Sequence, residues 1–424
     1  MKKLSIFIAV ILSFTMIMTA CGKKVDDSAS GSAAVDATVV VTDENGEKVT
    51  DEVGAIVTEK NPDGTTGTTT EYVPPKNTDT TTTAVQNFTK VRYAYSSLSA
   101  EEKSYYQALV NAVSNFEPSV VFDKPLDQKT YFKIFALVYF QEAQLFWMSG
   151  TYEIYDGTRQ NIVLDYRCSQ EDAKKMQASI DKKAAEIKAK IPAGATTVDK
   201  LKVFHDYIVL NNTFTKDGDY PQTIYGGLIE GKVQCEGYAK TLGYLCDQNG
   251  IENMLITGTN DKQASHAWNI IKVDGDWYNL DTTWDDPVGQ FPADYIKYNY
   301  FLVTDKEIHN KTHFVDNQFY APPKCDATKA NYQRNYGLYA EDKDKALSLI
   351  KSEIKKAADS KNGYVQIKVS SEKILNDINN ELIKNKAIYT YVDEANKTAK
   401  HKCKVTTAPV LDKNVLTIHI TLNY

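Results

Sequence analysis

A cysteine, a histidine and an aspartate in this chain have the types and the order of a nucleophilic thiol site. Cys235 lies in VQCEGYAKTLGYLCDQNGI, His266 in SHAWNIIKVDGDW and Asp281 in YNLDTTWDDP. A thiol needs a base to become a nucleophile, and an imidazole needs a carboxylate to fix its tautomer and orientation. Brought together, the three side chains would do acyl chemistry, with attack on a carbonyl carbon followed by a thioester. Taken singly, each has a plainer reading. Cys235 would be a buried core cysteine like Cys246, His266 a satisfied histidine on a half-buried strand, and Asp281 a strand-end aspartate bonding its own backbone.

The elements that must position them are legible. Cys235, Ala239, Leu242 and Cys246 recur at i, i+4, i+7 and i+11, one face of a helix, and Asn249-Gly250 supplies its stop. Cys235 then sits in the first turn, where unpaired N–H groups and the positive end of the helix dipole favour a thiolate and can bond an oxyanion. Gly237 keeps that helix start uncrowded. Asp274-Gly275 signals a two-residue hairpin turn. That turn sets Val273 opposite Asp276, Trp268 opposite Asp281 and His266 opposite Thr283. His266 and Asp281 become diagonal neighbours on one face, about 7–8 Å apart at the backbone. A three-residue loop would put them on opposite faces.

The order Cys, His, Asp on a helix, a strand and a neighbouring strand resembles the transglutaminase-like superfamily. Its cysteine motif is matched by residues 231–239 (GKVQCEGYA), its histidine motif by 266–269 (HAWN) and its aspartate motif by 277–284 (WYNLDTTW). The resemblance is strong over about residues 200–300. The helical region before it is similar to those of secreted Gram-positive relatives. It implies an α+β fold with a papain-like core, a nucleophile helix packed on an antiparallel sheet. It also implies the roles: Cys235 attacks, His266 shuttles the proton and Asp281 orients His266. No cofactor is implied. Tyr225 or Gln234 is the candidate side chain of the oxyanion hole, with Tyr225 preferred. Trp268 and Trp284 are candidates for the wall of a substrate groove, although core packing explains both.

The N-terminus addresses location. Met1-Lys2-Lys3 precedes an apolar run from Leu4 to Met18, followed by Thr19-Ala20-Cys21. This resembles the lipobox of bacterial lipoproteins, with cleavage before Cys21 and lipidation of its thiol. The protein is then expected on the outer face of the cell membrane of a Gram-positive bacterium, held there by the lipid on Cys21. Losing residues 1–20 reduces 49 basic residues to 47, against 55 acidic ones. That balance argues against a nucleic-acid partner. The remaining cysteines, Cys168, Cys235, Cys246, Cys325 and Cys403, form no metal-binding spacing. His205, His309 and His313 read as structural, Asp285-Asp286 belongs to no complete calcium loop, and no metal site is expected.

The expected domain order is a signal segment (1–20), a Thr/Ser/Gly-rich stalk (21–88), a mainly helical part (89–195), the catalytic core (196–325) and a separate small α+β domain (326–424). A hairpin around Asn45-Gly46 is allowed within the stalk. Helices are expected at 99–113, 127–147, 169–191, 197–210, 343–358 and 371–384. Strands are expected at 151–167, 364–369, 387–392, 401–407 and 415–422. The functional expectation is a surface-anchored cysteine enzyme acting on peptide or protein amide bonds, with hydrolysis favoured over amine transfer. The alternative is a binding or scaffold protein of the cell envelope that has kept the fold without turnover.

Overall fold

The computed structural model describes residues 93–287, 291, 295–309, 312–316 and 321–424, together with two short strands ahead of them. Those strands, β1 (Val40–Thr42) and β2 (Lys48–Val49), pair antiparallel with Val41 opposite Val49. The signal segment, Cys21 and the rest of the stalk lie outside the described residues, as does the Asn45-Gly46 turn. Among the described residues, those up to Ala178 form one compact unit and those from Ser179 onward form another.

In the first unit, α1 (Ala100–Ser114) starts at a Ser99/Glu102 capping box. Its buried Leu109, Val110 and Val113 form the apolar stripe that the spacing predicts. A strand, β3 (Ser119–Asp127), runs into α2 (Gln128–Gln141), and Asp127 caps that helix. Sequence reasoning passes over β3 because Pro125 interrupts it. The ladder between β3 and β5 (Thr158–Val163) indeed shifts register between Val121 and Leu126. The helix expected at 127–147 stops at Gln141. The short β4 (Glu153–Ile154) pairs with β1, so 151–167 is not one self-paired hairpin.

Helix α3 (Gln170–Lys188) follows Ser169, whose Oγ accepts from Asp172 N at 3.1 Å. In the second unit α4 (Thr197–Asn211) opens on a Thr196/Asp199 capping box. Two short parallel strands, β6 (Thr213–Phe214) and β7 (Lys232–Val233), lead to α5 (Cys235–Asp247). Next come β8 (Asn253–Asn260), β9 (Ser265–Val273), β10 (Asp276–Leu280), the single turn α6 (Thr282–Asp285), α7 (Asp305–Ile308) and β11 (His313–Val315). The four strands make an antiparallel sheet in the order β10-β9-β8-β11. Helix α5 packs on β8, β9 and α4 and is buried from Cys235 to Cys246. Asn269 on β9 donates Nδ2 to Ala239 O of α5 at 3.0 Å, tying the sheet to that helix. The core is thus α+β, with the helix that begins at Cys235 against an antiparallel sheet.

The C-terminal segment builds a second four-stranded sheet, ordered β12 (Tyr339–Ala340), β13 (Tyr364–Val369), β15 (Thr417–Thr421) and β14 (Val410–Asp412). Helices α8 (Lys343–Ser360), α9 (Glu372–Asn379) and α10 (Ala387–Thr398) share its apolar cluster, built around Ile350, Ile354, Ile367, Leu375 and Ile418. Two strand expectations fail here. Residues 387–392 belong to α10: Ile388, Tyr391, Val392 and Ala395 are buried at i, i+3, i+4 and i+7, a period that the six-residue window was too short to reveal. Residues 401–407 contain only an isolated bridge, Lys404 to Asn423. By contact, this segment and residues 179–317 belong to the same compact unit. No helix among the described residues is long and apolar enough to cross a membrane.

One glycine in the core sheet marks a close approach of neighbouring strands. Gly258 on β8 stands between His266 of β9 and Val315 of β11. A Cβ there would lie 2.1 Å from Phe314 O and 3.1 Å from Trp268 Cη2. Neither the neighbouring backbone nor the buried indole can retreat cheaply. Gly258→Ala is expected to destabilise the protein by about 1–3 kcal/mol, read as a lower urea midpoint at unchanged slope.

Candidate active site

The hairpin forms as its sequence requires. Asp274 (φ 52°) and Gly275 (φ 96°) both take positive φ, as a two-residue type I′ turn demands. The ladder runs from Val273↔Asp276 to Asn269↔Leu280. Trp268 donates Nε1 to Asn279 Oδ1 at 3.0 Å, so the face that carries His266 on β9 meets the Asn279 face of β10. The ladder ends there: Asp281 lies one residue past it and Thr283 lies in α6, so the expected pairings of Trp268 with Asp281 and of His266 with Thr283 do not form. Asp281 is held by other contacts. Its N–H donates to Tyr300 O at 3.2 Å. Its Oδ1 accepts from the N–H groups of Thr283 (2.8 Å) and Trp284 (3.2 Å), which makes it the cap of α6.

The other carboxylate oxygen meets the imidazole. His266 Nε2 lies 2.6 Å from Asp281 Oδ2, and both side chains are wholly shielded from solvent. Cys235, the first residue of α5, is hydrogen-bonded to the same ring. With Nε2 on the carboxylate, Nδ1 is the nitrogen left for the thiol. Asp281 therefore caps a helical turn with one oxygen and orients His266 with the other.

The electrostatics follow from this contact. Burial pushes His266 down, but the charge and hydrogen bond of Asp281, helped by Cys235, outweigh it and raise the imidazole to about 10. Burial pushes Asp281 up, but His266 and His313 hold it well below the usual carboxylate range. The resting pair is an imidazolium and a carboxylate. An imidazolium beside the sulfur and a helix N-terminus beneath it both favour the thiolate. Cys246, on the same helical face but away from the N-terminus, shows the contrast: burial pushes its thiol well up.

Sequence reasoning missed His313. Read as structural from its spacing to His309, it stands at the centre of the site. It opens β11, is fully buried, and places Nε2 2.8 Å from Asp281 Oδ2, the same oxygen that holds His266. The two histidine rings stand 5.0 Å apart. His205, also read as structural, lies in a second buried cluster at the far end of α6. Its Nε2 is 3.1 Å from Asp285 Oδ2 and its Nδ1 is 3.2 Å from Asp206 Oδ1. Burial pushes His205 down, but the two carboxylates outweigh it and raise it. Only the adjacency of His205-Asp206 and the DTTWDD run were visible beforehand, and neither tells which strand or turn faces which.

The remaining candidates divide. Trp268 is 1% exposed and stacks on His266, so it is a core residue. Trp284 is partly exposed, with its ring 5.9 Å from that of His266. Gln234 is the N-cap residue of α5; its N–H donates to Pro221 O at 2.8 Å and its Oε1 accepts from Gln222 at 3.4 Å. Tyr225 precedes a π-helical turn (Gly226–Glu230), edge-on to Tyr220. Cys168, Cys235, Cys246, Cys325 and Cys403 are all free thiols. The ligand atoms of His266, Asp281 and His313 lie within 4.8 Å of one another. Yet each Nε2–Oδ2 separation is a hydrogen-bond length, and a zinc ion bound at about 2.0–2.2 Å would have to displace both N–H protons.

Three comparisons bear on this site. Residues 182–282 match the family model described as the transglutaminase-like superfamily. A human relative, kyphoscoliosis peptidase, is 29% identical over 112 residues, which cover 22% of this chain and 17% of that protein. The chain thus matches under a fifth of the length of this curated relative. Among solved structures, a candidate cysteine protease from Cytophaga hutchinsonii is 20% identical over 24% of this chain and 37% of its own, with a TM-score of 0.23. A TGase is 14% identical over 41% and 52%, with a TM-score of 0.25. The matched segment contains Cys235, His266 and Asp281 in order, and residues 182–282 are a domain of the transglutaminase-like superfamily.

Proposed function

We propose that this protein is a surface-anchored cysteine enzyme that cleaves peptide or protein amide bonds through a thioester, with water favoured over an amine as the final acceptor. The observation that carries the proposal is the buried His266–Asp281 contact at 2.6 Å with the Cys235 thiol hydrogen-bonded to the same ring. Anchoring rests on the lipobox-like segment ending at Cys21.

The chemistry balances on these groups. The Cys235 thiolate attacks the carbonyl carbon, and the oxyanion that forms faces the N–H groups in the first turn of α5. Tyr225 and Gln234 are the side chains proposed to add to that hole. His266 gives its Nδ1 proton to the departing amine as the C–N bond breaks, leaving a thioester. Neutral His266 then takes a proton from water at Nδ1, hydroxide adds to the thioester, and the acid leaves as the thiolate and imidazolium re-form. Throughout, Asp281 keeps the other proton on Nε2. A binding protein of the same fold would have no need of a thiol set against that pair.

Two variants test the reading. Cys235→Ala should abolish labelling by a thiol-directed probe at the Cys235 peptide. It should also lower cleavage of a peptide library by on the order of 10³-fold or more, with and without added amines. Labelling or cleavage that persists sinks the proposal. Asp281→Asn keeps the shape but not the charge, and should lower the rate by on the order of 10³–10⁴-fold. Stability should respond as well. A folded pKa of about 10 for His266, against about 6.5 unfolded, means stabilisation that is complete below 6.5 and lost as pH rises towards 10. Urea unfolding at pH 6 to 10 should show this decline in the wild type and a flatter curve in Asp281→Asn.

A further inference from the structure

We propose that His313 is a positioning residue for the reaction: it donates Nε2–H to the oxygen of Asp281 that also holds His266, and so sets the orientation and basicity of that carboxylate. The proposal rests on the thiol-enzyme reading above and adds a fourth member to its machinery.

The geometry is specific. His313 Nε2 lies 2.8 Å from Asp281 Oδ2, and its ring is enclosed by Trp284 (4.8 Å), His266 (5.0 Å), Trp268 (5.1 Å) and Tyr300 (5.3 Å). Its position is fixed from the backbone too. His309 Nδ1 meets His313 O at 3.0 Å, and Thr312 Oγ1 meets His313 Nδ1 at 3.0 Å. β11, which carries His313, is separated from β9, which carries His266, by β8, where Gly258 has no side chain to crowd the rings between them.

The tautomer follows from the partners. A carboxylate oxygen at Nε2 requires the proton there. The Thr312 hydroxyl gives its one proton to Ile308 O at 2.8 Å and lies 3.0 Å from His313 Nδ1. Burial and the charge of His266 both push His313 down, towards the neutral ring. A neutral His313 bonds to Asp281 without bringing a second cation against His266. It takes a share of the electron density on Oδ2, so Asp281 pulls less strongly on the His266 proton. That matters in the second half of the reaction, where His266 must be neutral to activate water.

Other charged and titratable groups face the cluster: Cys235 and Tyr238 from α5, Asp285 from α6, Tyr300 from the loop after it, and His309 after α7. All are unchanged by the two variants that separate the roles of His313. In His313→Asn the amide can keep the Thr312 contact but cannot reach Asp281. In His313→Gln the amide nitrogen reaches the place of Nε2 and restores a neutral donor.

The measurement is the rate of iodoacetamide alkylation of Cys235 against pH, resolved by peptide mass so that the other thiols do not contribute. For the wild type the proposal expects a reactive thiolate well below the ordinary thiol range, and a second, alkaline step where His266 loses its proton. His313→Asn should move that alkaline step up by about 1–2 pH units, the size of one lost hydrogen bond to a charged group. His313→Gln should bring it back. A residue that merely fills space would slow alkylation without moving the step. An unmoved step in His313→Asn, or equal shifts in both variants, overturns the role of His313 alone. A wild-type profile with one ordinary step near about 8.5 overturns the enzyme reading and this proposal with it.

Discussion

The Asp281 carboxylate carries its charge where water does not reach, and the neighbouring structure is arranged to make that tolerable. A bare buried carboxylate would take up a proton rather than stay ionised. Here Oδ1 accepts two backbone N–H groups of α6 and Oδ2 accepts two imidazoles. The charge is spread over four donors from three directions. Because it stays ionised, His266 keeps its Nε2 proton and presents Nδ1 to the thiol. The state of Cys235 therefore depends on an aspartate on the other side of the ring.

The same short helix connects this contact to the rest of the unit. α6 is a single turn, with Asp281 at its start and Asp285 as its last residue. Asp285 is held by His205 of α4 and by the N–H of Tyr300 at 2.9 Å. Tyr300 in turn receives the N–H of Asp281 on its carbonyl. The segment containing Tyr300 is fastened to the C-terminal sheet: Tyr298 N donates to Gln366 Oε1, Thr417 Oγ1 to Asn299 Oδ1, and Tyr295 meets His419. A C-terminal region that carries no reacting group thus steadies the backbone on which the carboxylate rests. The polar character of β13 and β15 on that side, with Gln366, Thr417 and His419 all buried, reflects this role.

Much of the centre was legible because it is local. The apolar period of α5 and the Asn249-Gly250 stop fix the helix, and Asp274-Gly275 fixes the hairpin register to the residue. What could not be read is what depends on distant strands. Nothing near His313 says that β11 will pair with β8 and not with β10, so its meeting with Asp281, 32 residues away, was invisible. Gly258 was the one local signal, since a glycine inside a strand marks a close approach, but it does not name what approaches. Where local pattern was ambiguous the errors were ordinary ones. Aromatic and β-branched residues in 387–392 suggested a strand, and the helical period showed only once Ala395 was counted.

The central claim is that a buried Asp281 holds His266 as an imidazolium with its Nε2 proton on the carboxylate. The most direct test is ¹⁵N NMR of the His266 ring across pH 5 to 10, assigned by comparison with a His266→Gln protein. The claim predicts that both ring nitrogens stay protonated through pH 8, and that the first proton to leave is the one on Nδ1. A His266 ring that titrates at or below about 6.5, the value of an unperturbed histidine, or that loses its Nε2 proton first, would contradict it.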